Sequence, residues 1–252
     1  MIEVDKQNGN NYLFDSGFHF ADWLALDNPD PTSPLGKTDM HYVASVFYYY
    51  STWITSKAAK ELGREQEASY YHSHALKVKE AILKRYFKDG LCIIDTQTAY
   101  VLAIHFNLVE GEDLQRNVNH LMDKIKLNNG HLDTGFVGTP YLNFALSNNQ
   151  QIKQAYDLLL NEDYPSWLYE VNLGATTIWE RWNSVLEDGS MNPEGMNSLN
   201  HYAYGSIVEW IYKEVGGLKS LEPGFKKVLI EPKIDSRLHF VKIDYLSNSG
   251  KY

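Results

Sequence analysis

Apolar residues recur at helical spacing along most of the chain. In the first two long runs they lie three or four residues apart, which is typical of amphipathic helices. These runs comprise Val43, Val46, Phe47, Tyr50 and Ile54, and then Tyr71, Ala75, Val78, Ile82 and Tyr86. Shorter runs of the same kind occupy residues 99–106, 114–125 and 152–159. The pattern predicts about eight helical stretches, joined by short segments rich in Gly, Asp, Asn and Pro.

The last predicted helix has the clearest period. Its apolar face comprises Leu199, Tyr202, Ala203, Ser206, Ile207, Trp210 and Ile211, and Gly216-Gly217 supplies the stop. Asn197 or Ser198 is the predicted N-cap, which places Asn200 and His201 in the first turn. There the positive end of the helix dipole would face a cavity, and His201 is a candidate donor to a sugar hydroxyl or to Glu180. A purely structural histidine is the alternative.

The pattern changes after Gly217, where residues 227–232 and the alternation over 241–245 predict strands. Residues 1–11 are polar, and no helix is predicted there. The expected organisation is a helical domain of stacked αα-hairpins over residues 1–217. The start of a β domain follows over residues 218–252.

Charge and composition limit the classes of partner that this protein is expected to bind. The net charge of −9, from 23 basic and 32 acidic residues, disfavours nucleic acid and anionic membrane surfaces. No apolar run is long enough for a membrane span and no signal peptide is evident, so a cytoplasmic location is favoured. The aromatic fraction of 13% is high, and some of these rings are candidates to line a sugar site. The single cysteine, Cys92, lies in an apolar run and is expected to be a small buried hydrophobe.

No metal or cofactor is expected. The nine histidines form no H-E-x-x-H arrangement and have no cysteine partners. The phosphate-binding and dinucleotide-binding glycine patterns and the serine-hydrolase pattern are also missing from the sequence.

Two further segments carry candidate chemistry. In the first, Asp22 is a candidate acceptor from sugar hydroxyls, and Trp23 is a candidate cover for a ring face. The alternative is a loop anchored by a buried tryptophan, with Asp22 capping a turn. In the second, Glu180 lies between Trp179 and Trp182, which suits a partly desolvated general base. Here the alternative is a helix with inward-packed aromatics and a solvated glutamate.

Four blocks together resemble bacterial α-L-rhamnosidases of glycoside hydrolase family 78. They are Phe20-Ala21-Asp22-Trp23-Leu24, Asp133-Thr134-Gly135-Phe136-Val137-Gly138-Thr139, Gly174-Ala175-Thr176-Thr177-Ile178-Trp179-Glu180-Arg181-Trp182 and Asn197-Ser198-Leu199-Asn200-His201-Tyr202-Ala203. Each block is a weak signal alone, whereas four in this order over nearly the whole chain make a specific one.

The resemblance implies a mainly α fold, an (α/α)6 barrel followed by a C-terminal β-sandwich. It also implies inverting hydrolysis of terminal α-L-rhamnose from glycosides or polysaccharides. Glu180 matches the family's general base. The residues expected to bind substrate are Asp22, Trp23, Asp133, Trp179, Trp182, Asn200 and His201. We expect Asp22 and His201 to face the same concave end of the helical array as Glu180.

The chain departs from the family in two ways. The family has Gly where this chain has Ala21, a small change. The family's acidic motif, with the general acid in a run resembling D-x-P-x-R-x-E-R, has no counterpart in these residues. We therefore expect the C-terminal part of a catalytic domain with an incomplete barrel, inactive alone and prone to self-association. The alternatives are a non-catalytic αα-hairpin scaffold that binds carbohydrate or protein, and another (α/α)6 enzyme such as a glucuronyl hydrolase or a sugar epimerase.

Overall fold

The computed structural model of the protein describes residues 1–30 and 32–252. Within these residues nine α-helices form: α1 Ile2–Gln7, α2 Met40–Glu61, α3 Glu65–Tyr86, α4 Gln97–His105, α5 Gly111–Leu127, α6 Thr139–Ser147, α7 Ile152–Leu159, α8 Trp167–Asn172 and α9 Ile207–Trp210. Six short strands accompany them: β1 Phe87–Lys88, β2 Leu91–Cys92, β3 Leu218–Ser220, β4 Val228–Ile230, β5 Leu246–Ser247 and β6 Gly250–Lys251. The predicted mainly helical fold, with a small β element at the end, is confirmed.

The chain forms two compact units, Met1–Tyr141 and Leu142–Tyr252. The first unit is built from αα-hairpins. Helix α2 begins at an N-cap, where the Asp39 carboxylate accepts the backbone N–H groups of His41 at 2.9 Å and Tyr42 at 2.8 Å. After Gly63, which has a φ of +69°, α3 returns along α2 and packs against it.

Inner and outer helices differ in how much of their surface they bury. Helix α4 is buried all the way from Gln97 to Ile104, whereas its partner α5 buries one face, formed by Asn117, Val118, Leu121 and Ile125. A helix that is apolar all round has protein on every side, and an amphipathic one has solvent on its outer side. The hairpin of α4 and α5 therefore joins an inner helix to an outer one.

Helix α1 corrects the expectation that residues 1–11 hold no helix. It is fixed through Asp5, which is 1% exposed. The Asp5 carboxylate accepts the Tyr48 hydroxyl at 3.1 Å and the Tyr12 backbone N–H at 3.1 Å. The same hydroxyl lies 2.5 Å from His74 Nε2. A buried polar network thus stabilises a helix that has no apolar period of its own.

The C-terminal helical region begins later than predicted. A 3-10 turn over Tyr204–Ser206 leads into α9 and then into a π-helical turn over Ile211–Val215. The expected helix start near residue 199 is therefore wrong, and Asn200 and His201 lie in irregular backbone before it.

The strands form three separate antiparallel pairs: β1 with β2, β3 with β4, and β5 with β6. Strand β4 confirms the strand predicted within residues 227–232. No strand forms over residues 241–245, so that prediction is wrong. Cys92 in β2 is 2% exposed, as expected, and burial raises the pKa of its thiol to about 11.

A buried charge ties the end of the second unit together. The carboxylate of Glu214, 4% exposed at its side chain, pairs with Lys233 at 2.6 Å and Lys219 at 3.0 Å. Lys233 Nζ also donates to the Ser147 carbonyl at 3.0 Å, and the Tyr156 hydroxyl donates to the Lys233 carbonyl at 2.6 Å. The chain beyond β4 is thereby held to α6 and α7.

Among the helices of residues 1–30 and 32–252, none has the length and apolarity needed to cross a membrane.

Candidate active site

The carboxylate of Asp22 organises the candidate residues of the first unit. Asp22 is fully buried, and its oxygens accept the backbone N–H groups of Gly135 at 2.8 Å, Val137 at 2.7 Å and Gly138 at 3.3 Å. The Thr98 hydroxyl donates a further, short hydrogen bond. Asp22 thus fastens the loop of residues 133–138, the Asp133 loop, to the N-terminal segment and to α4.

Gly135 in the Asp133 loop permits this close approach. A Cβ at Gly135 would collide with the backbone carbonyl of Trp23. The Trp23 carbonyl also accepts the Phe136 N–H at 2.9 Å, and the Leu26 N–H donates to the Asp133 carbonyl at 2.8 Å. Two irregular segments distant in sequence are therefore paired backbone to backbone.

Burial raises the pKa of the Asp22 carboxyl above its ordinary value, and its four hydrogen bonds oppose the rise. Because donors already occupy both oxygens, a sugar hydroxyl would have to displace one of them. The geometry matches the alternative interpretation of Asp22 as a turn-anchoring carboxylate.

Trp23 differs from Asp22 in its accessibility. Its indole is half-buried and meets the Phe20 ring edge to face, with centroids 5.4 Å apart. Phe20 in turn meets Phe18 at 5.3 Å, and both phenylalanines are 64% exposed. These three rings form an aromatic row on the surface, whose faces suit the apolar faces of a sugar.

Asp133 is half-buried in a group of carboxylates. Burial raises the pKa of Asp133 to about 7, and the negative charges of Asp27 and Asp22 add to the rise. Near neutral pH its carboxyl therefore exchanges between the protonated and ionised forms, so it can either donate or accept a proton.

In the second unit, the segment of residues 177–180 pairs with the segment of residues 198–201. The Glu180 N–H donates to the Ser198 carbonyl at 2.9 Å, and the His201 N–H donates to the Ile178 carbonyl at 2.8 Å. The Thr177 hydroxyl adds a short bond to the Leu199 carbonyl. This pairing brings Glu180 and His201, 21 residues apart in sequence, onto neighbouring segments.

The Glu180 carboxylate is half-buried and held from one side. Its Oε2 accepts the Ser198 backbone N–H at 3.1 Å, the one hydrogen bond recorded for this carboxylate among the described residues. A carboxylate fixed through one oxygen keeps the other as a proton acceptor, which is the geometry that a general base requires.

Trp179 and Trp182 lie in the core, at 4% and 1% exposure. Trp182 stacks on Tyr204 with centroids 4.0 Å apart and meets Trp167 edge to face at 5.2 Å. The segment that carries them is irregular rather than helical. Their inward packing agrees with part of the alternative interpretation, because buried indoles leave no open face for a sugar ring.

The last two predicted site residues, Asn200 and His201, lie on the segment that pairs with the Glu180 segment. Asn200 is exposed, and its N–H and carbonyl each lie 3.4 Å from the Ser198 hydroxyl. His201 is half-buried, stacks on Tyr202 at 5.3 Å and accepts the Ala203 N–H on Nδ1 at 3.3 Å. In the neutral ring that contact assigns the proton to Nε2, which then acts as a donor.

Sequence reasoning missed Glu170, in α8. Its side chain is buried at 1% exposure, and its Oε2 accepts the Trp179 backbone N–H at 3.3 Å. Its Oε1 is buried without a partner among the described residues. Burial raises the pKa of Glu170 to about 8, so the carboxyl is largely protonated at neutral pH. The one sequence signal is its position three residues after Trp167, on the same helix face.

Within the described ranges, no group of three or more His, Cys, Asp or Glu side chains comes together in a way that could hold a metal ion.

Comparison with known proteins places the chain in a family. Residues 1–215 match the model of the bacterial alpha-L-rhamnosidase 6 hairpin glycosidase domain, and residues 217–252 match that of the bacterial alpha-L-rhamnosidase C-terminal domain. The chain belongs to the bacterial α-L-rhamnosidase family. The predicted resemblance is therefore confirmed.

Proteins named α-L-rhamnosidase are similar to this chain over most of its length. One from Formosa agariphila is 41% identical over 215 residues, covering 84% of the chain and 23% of the relative. One from Alteromonas sp. strain LOR is 39% identical and covers 98% of the chain and 27% of the relative. The chain thus spans about a quarter of the length of these α-L-rhamnosidases.

Solved α-L-rhamnosidase structures share the fold. The Streptomyces avermitilis enzyme, crystallised in complex with L-rhamnose, superposes with a TM-score of 0.86 at 30% identity, covering 99% of this chain and 23% of that one. The native enzyme from Aspergillus terreus gives 0.84 at 32% identity, covering 93% and 28%. The expected meeting of Asp22, His201 and Glu180 in one rhamnosidase pocket stays a prediction.

Proposed function

We propose that this chain carries the water-activating part of an inverting α-L-rhamnosidase site, with Glu180 as the general base. The observation that carries the proposal is the orientation of the Glu180 carboxylate. Its Oε2 is held by the Ser198 N–H, and its backbone is held by the Ser198 carbonyl. Family membership supports the same role, because the block around Glu180 resembles the one that carries the family's general base.

In this mechanism Glu180 removes a proton from a water molecule while the water oxygen attacks the anomeric carbon. The bond from that carbon to the glycosidic oxygen breaks, and the departing oxygen takes a proton from a second carboxyl group on the other side of the sugar. An inverting enzyme separates the two groups by about 6.5–9.5 Å to leave room for the water. Within these 252 residues no run resembles the family's general-acid motif.

The proposed substrate is a terminal α-L-rhamnose of a glycoside or polysaccharide. In the second unit, His201 donates from Nε2 and the exposed Asn200 offers an amide to sugar hydroxyls. In the first unit, Trp23 offers a ring face and Asp133 a carboxyl. Within the first unit Asp22 fixes the Asp133 loop, and within the second unit Trp179 and Trp182 are core residues of the segment that carries Glu180.

A substrate that needs no protonation of its leaving group tests the base alone. Fluoride departs from α-L-rhamnosyl fluoride without an acid, so the chain should release fluoride slowly, and a fluoride electrode measures the rate. Glu180→Gln should lower this rate by about 10²–10⁴-fold with little effect on folding. The exposed Glu187 provides the control, since Glu187→Gln should leave the rate unchanged.

The stereochemistry of the product tests inversion. Proton NMR of the first-formed sugar should show the β anomer from the α fluoride. Fluoride release that Glu180→Gln does not change would remove Glu180 from the mechanism and favour the non-catalytic scaffold. An α product would contradict inversion.

A further inference from the structure

The backbone that carries Glu180 is held from two sides. The Ile178 carbonyl and the Glu180 N–H both bond to residues 198–201, whereas the Trp179 N–H between them bonds to Glu170. Bonds that alternate in this way are typical of a strand, whose successive N–H groups face opposite neighbours. The Glu170 side chain therefore occupies the place of a second neighbouring strand.

We infer that Glu170 is a positioning residue for Glu180: its buried carboxyl group holds the Trp179 N–H and so fixes the segment that presents the Glu180 carboxylate. The inference rests on the proposed role of Glu180 as general base. It assigns to Glu170 no contact with substrate, because its side chain is 1% exposed.

The position of Glu170 is itself well fixed. Glu170 lies in α8, where the Ser166 hydroxyl caps the helix by accepting the Tyr169 N–H at 3.0 Å. After the helix, the Glu170 carbonyl accepts the N–H groups of Leu173 at 3.2 Å and Ala175 at 3.0 Å. A side chain that projects from so constrained a turn can place its own acceptor accurately.

The chemistry of the carboxyl group agrees with this role. No neighbouring charge contributes to the rise in the pKa of Glu170, which comes from burial and is opposed by the Trp179 hydrogen bond. A neutral carboxyl group keeps its carbonyl oxygen as an acceptor without placing a second negative charge behind Glu180. A buried carboxyl with one oxygen unpartnered is unfavourable for stability, which is typical of a group retained for function.

Two substitutions of Glu170 distinguish the role of its hydrogen-bond acceptor from that of its ionisable carboxyl group. Glu170→Gln keeps a carbonyl oxygen at nearly the same place, whereas Glu170→Leu keeps the bulk and removes the acceptor. Hydrogen exchange followed by NMR should show the Glu180 amide exchanging at least about 10-fold faster in Glu170→Leu and within about 3-fold of the parent in Glu170→Gln. Glu162→Leu, at an exposed glutamate shortly before α8, is the matched control.

Turnover of α-L-rhamnosyl fluoride adds a functional measurement. Glu170→Leu should lower kcat by about 10-fold or more with KM within about 3-fold, because a displaced base slows the reaction and leaves sugar binding intact. Glu170→Gln should restore kcat to within about 3-fold of the parent.

The outcomes are distinguishable. If the parent chain releases no fluoride, the proposed function fails and the exchange rates alone decide the inference. Unchanged exchange of the Glu180 amide in Glu170→Leu would overturn it, and so would a Gln variant as impaired as the Leu variant. If Glu170→Leu does not fold, a pH titration of the parent chain tests the inference instead. The chemical shift of the Trp179 amide should change with pH, with a midpoint of about 8. In Glu170→Gln the same shift should not depend on pH. A flat parent titration overturns the inference.

Discussion

At Asp22 one buried carboxylate satisfies three backbone N–H groups and one hydroxyl. Asp22→Ala should lower the free energy of unfolding by about 3–5 kcal/mol, because it leaves these donors buried without an acceptor. Thr98→Val removes one donor and should lower it by about 1–2 kcal/mol. Urea unfolding measures both, with the exposed Asp30→Ala as the control. A loss below about 1 kcal/mol in Asp22→Ala would contradict this account.

Glu170 gives the stability a pH dependence. Because the folded pKa is raised from 4.5 to about 8, the folded chain keeps a proton that the unfolded chain releases. The stabilisation is fully present below pH 4.5 and is lost as the pH rises towards 8, with a slope of about 1.4 kcal/mol per pH unit.

Glu170→Gln should remove that slope, and urea unfolding between about pH 5 and 8 measures the difference between parent and variant. Asp133, with its raised pKa of about 7, contributes a slope of the same sign in both proteins and cancels from the comparison. Parallel stability curves for parent and variant would show that Glu170 ionises normally.

Among single residues, the sequence predicted the burial of Cys92 but not that of Glu170. An apolar run around a cysteine predicts burial directly. A glutamate in a helix is ordinarily a solvated residue, and only the tertiary position of Trp179 shows otherwise. The sequence does not show the tertiary neighbours of Asp22 either. Asp22 could therefore be proposed both as a sugar ligand and as a structural carboxylate until its four donors were located.

At the scale of elements, α1 depends on the Tyr48 hydroxyl. Tyr48→Phe leaves Asp5 Oδ2 and His74 Nε2 without this partner, and it should lower the free energy of unfolding by about 1–3 kcal/mol. Hydrogen exchange should accelerate in α1 before it does in α2. Tyr50→Phe, on the same helix, is the control, since no hydrogen bond of the Tyr50 hydroxyl is recorded among the described residues. Equal effects of the two substitutions would exclude this anchoring role.

Helical periodicity predicted the long hairpin helices well because their stability comes from an apolar face. It failed near residue 199, where the N–H groups of Ser198 and His201 bond to Glu180 and Ile178 instead of entering a helix. The alternation over residues 241–245 also failed, since a strand forms only where a neighbouring strand accepts its hydrogen bonds. Residues 198–201 pair with the segment that carries the candidate base, whereas residues 241–244 make no backbone–backbone hydrogen bond among the described residues.

At the scale of the whole molecule, we predict that the 252-residue chain does not hydrolyse methyl α-L-rhamnoside, whose alkoxide leaving group requires protonation, at an enzymatic rate. A base alone does not supply the proton that the departing oxygen takes up. Release of rhamnose from the methyl glycoside should not exceed that of the Glu180→Gln variant, in contrast to the release of fluoride from rhamnosyl fluoride. Robust turnover that depends on Glu180 would show that another carboxylate of this chain serves as the acid.

The irregular stretch over residues 241–245 has a consequence for how the molecule opens. Upstream of it, Lys233 is tied to Glu214, and Arg237 pairs with Asp157 at 2.7 Å. Beyond these ties Phe240 is 84% exposed, and among the described residues the segment 239–244 makes no backbone–backbone hydrogen bond before Tyr245 pairs with Tyr252. This stretch should therefore unfold locally while the helices remain intact. Chymotrypsin at low dose should cut first after Phe240, and the large product should keep its helical circular dichroism.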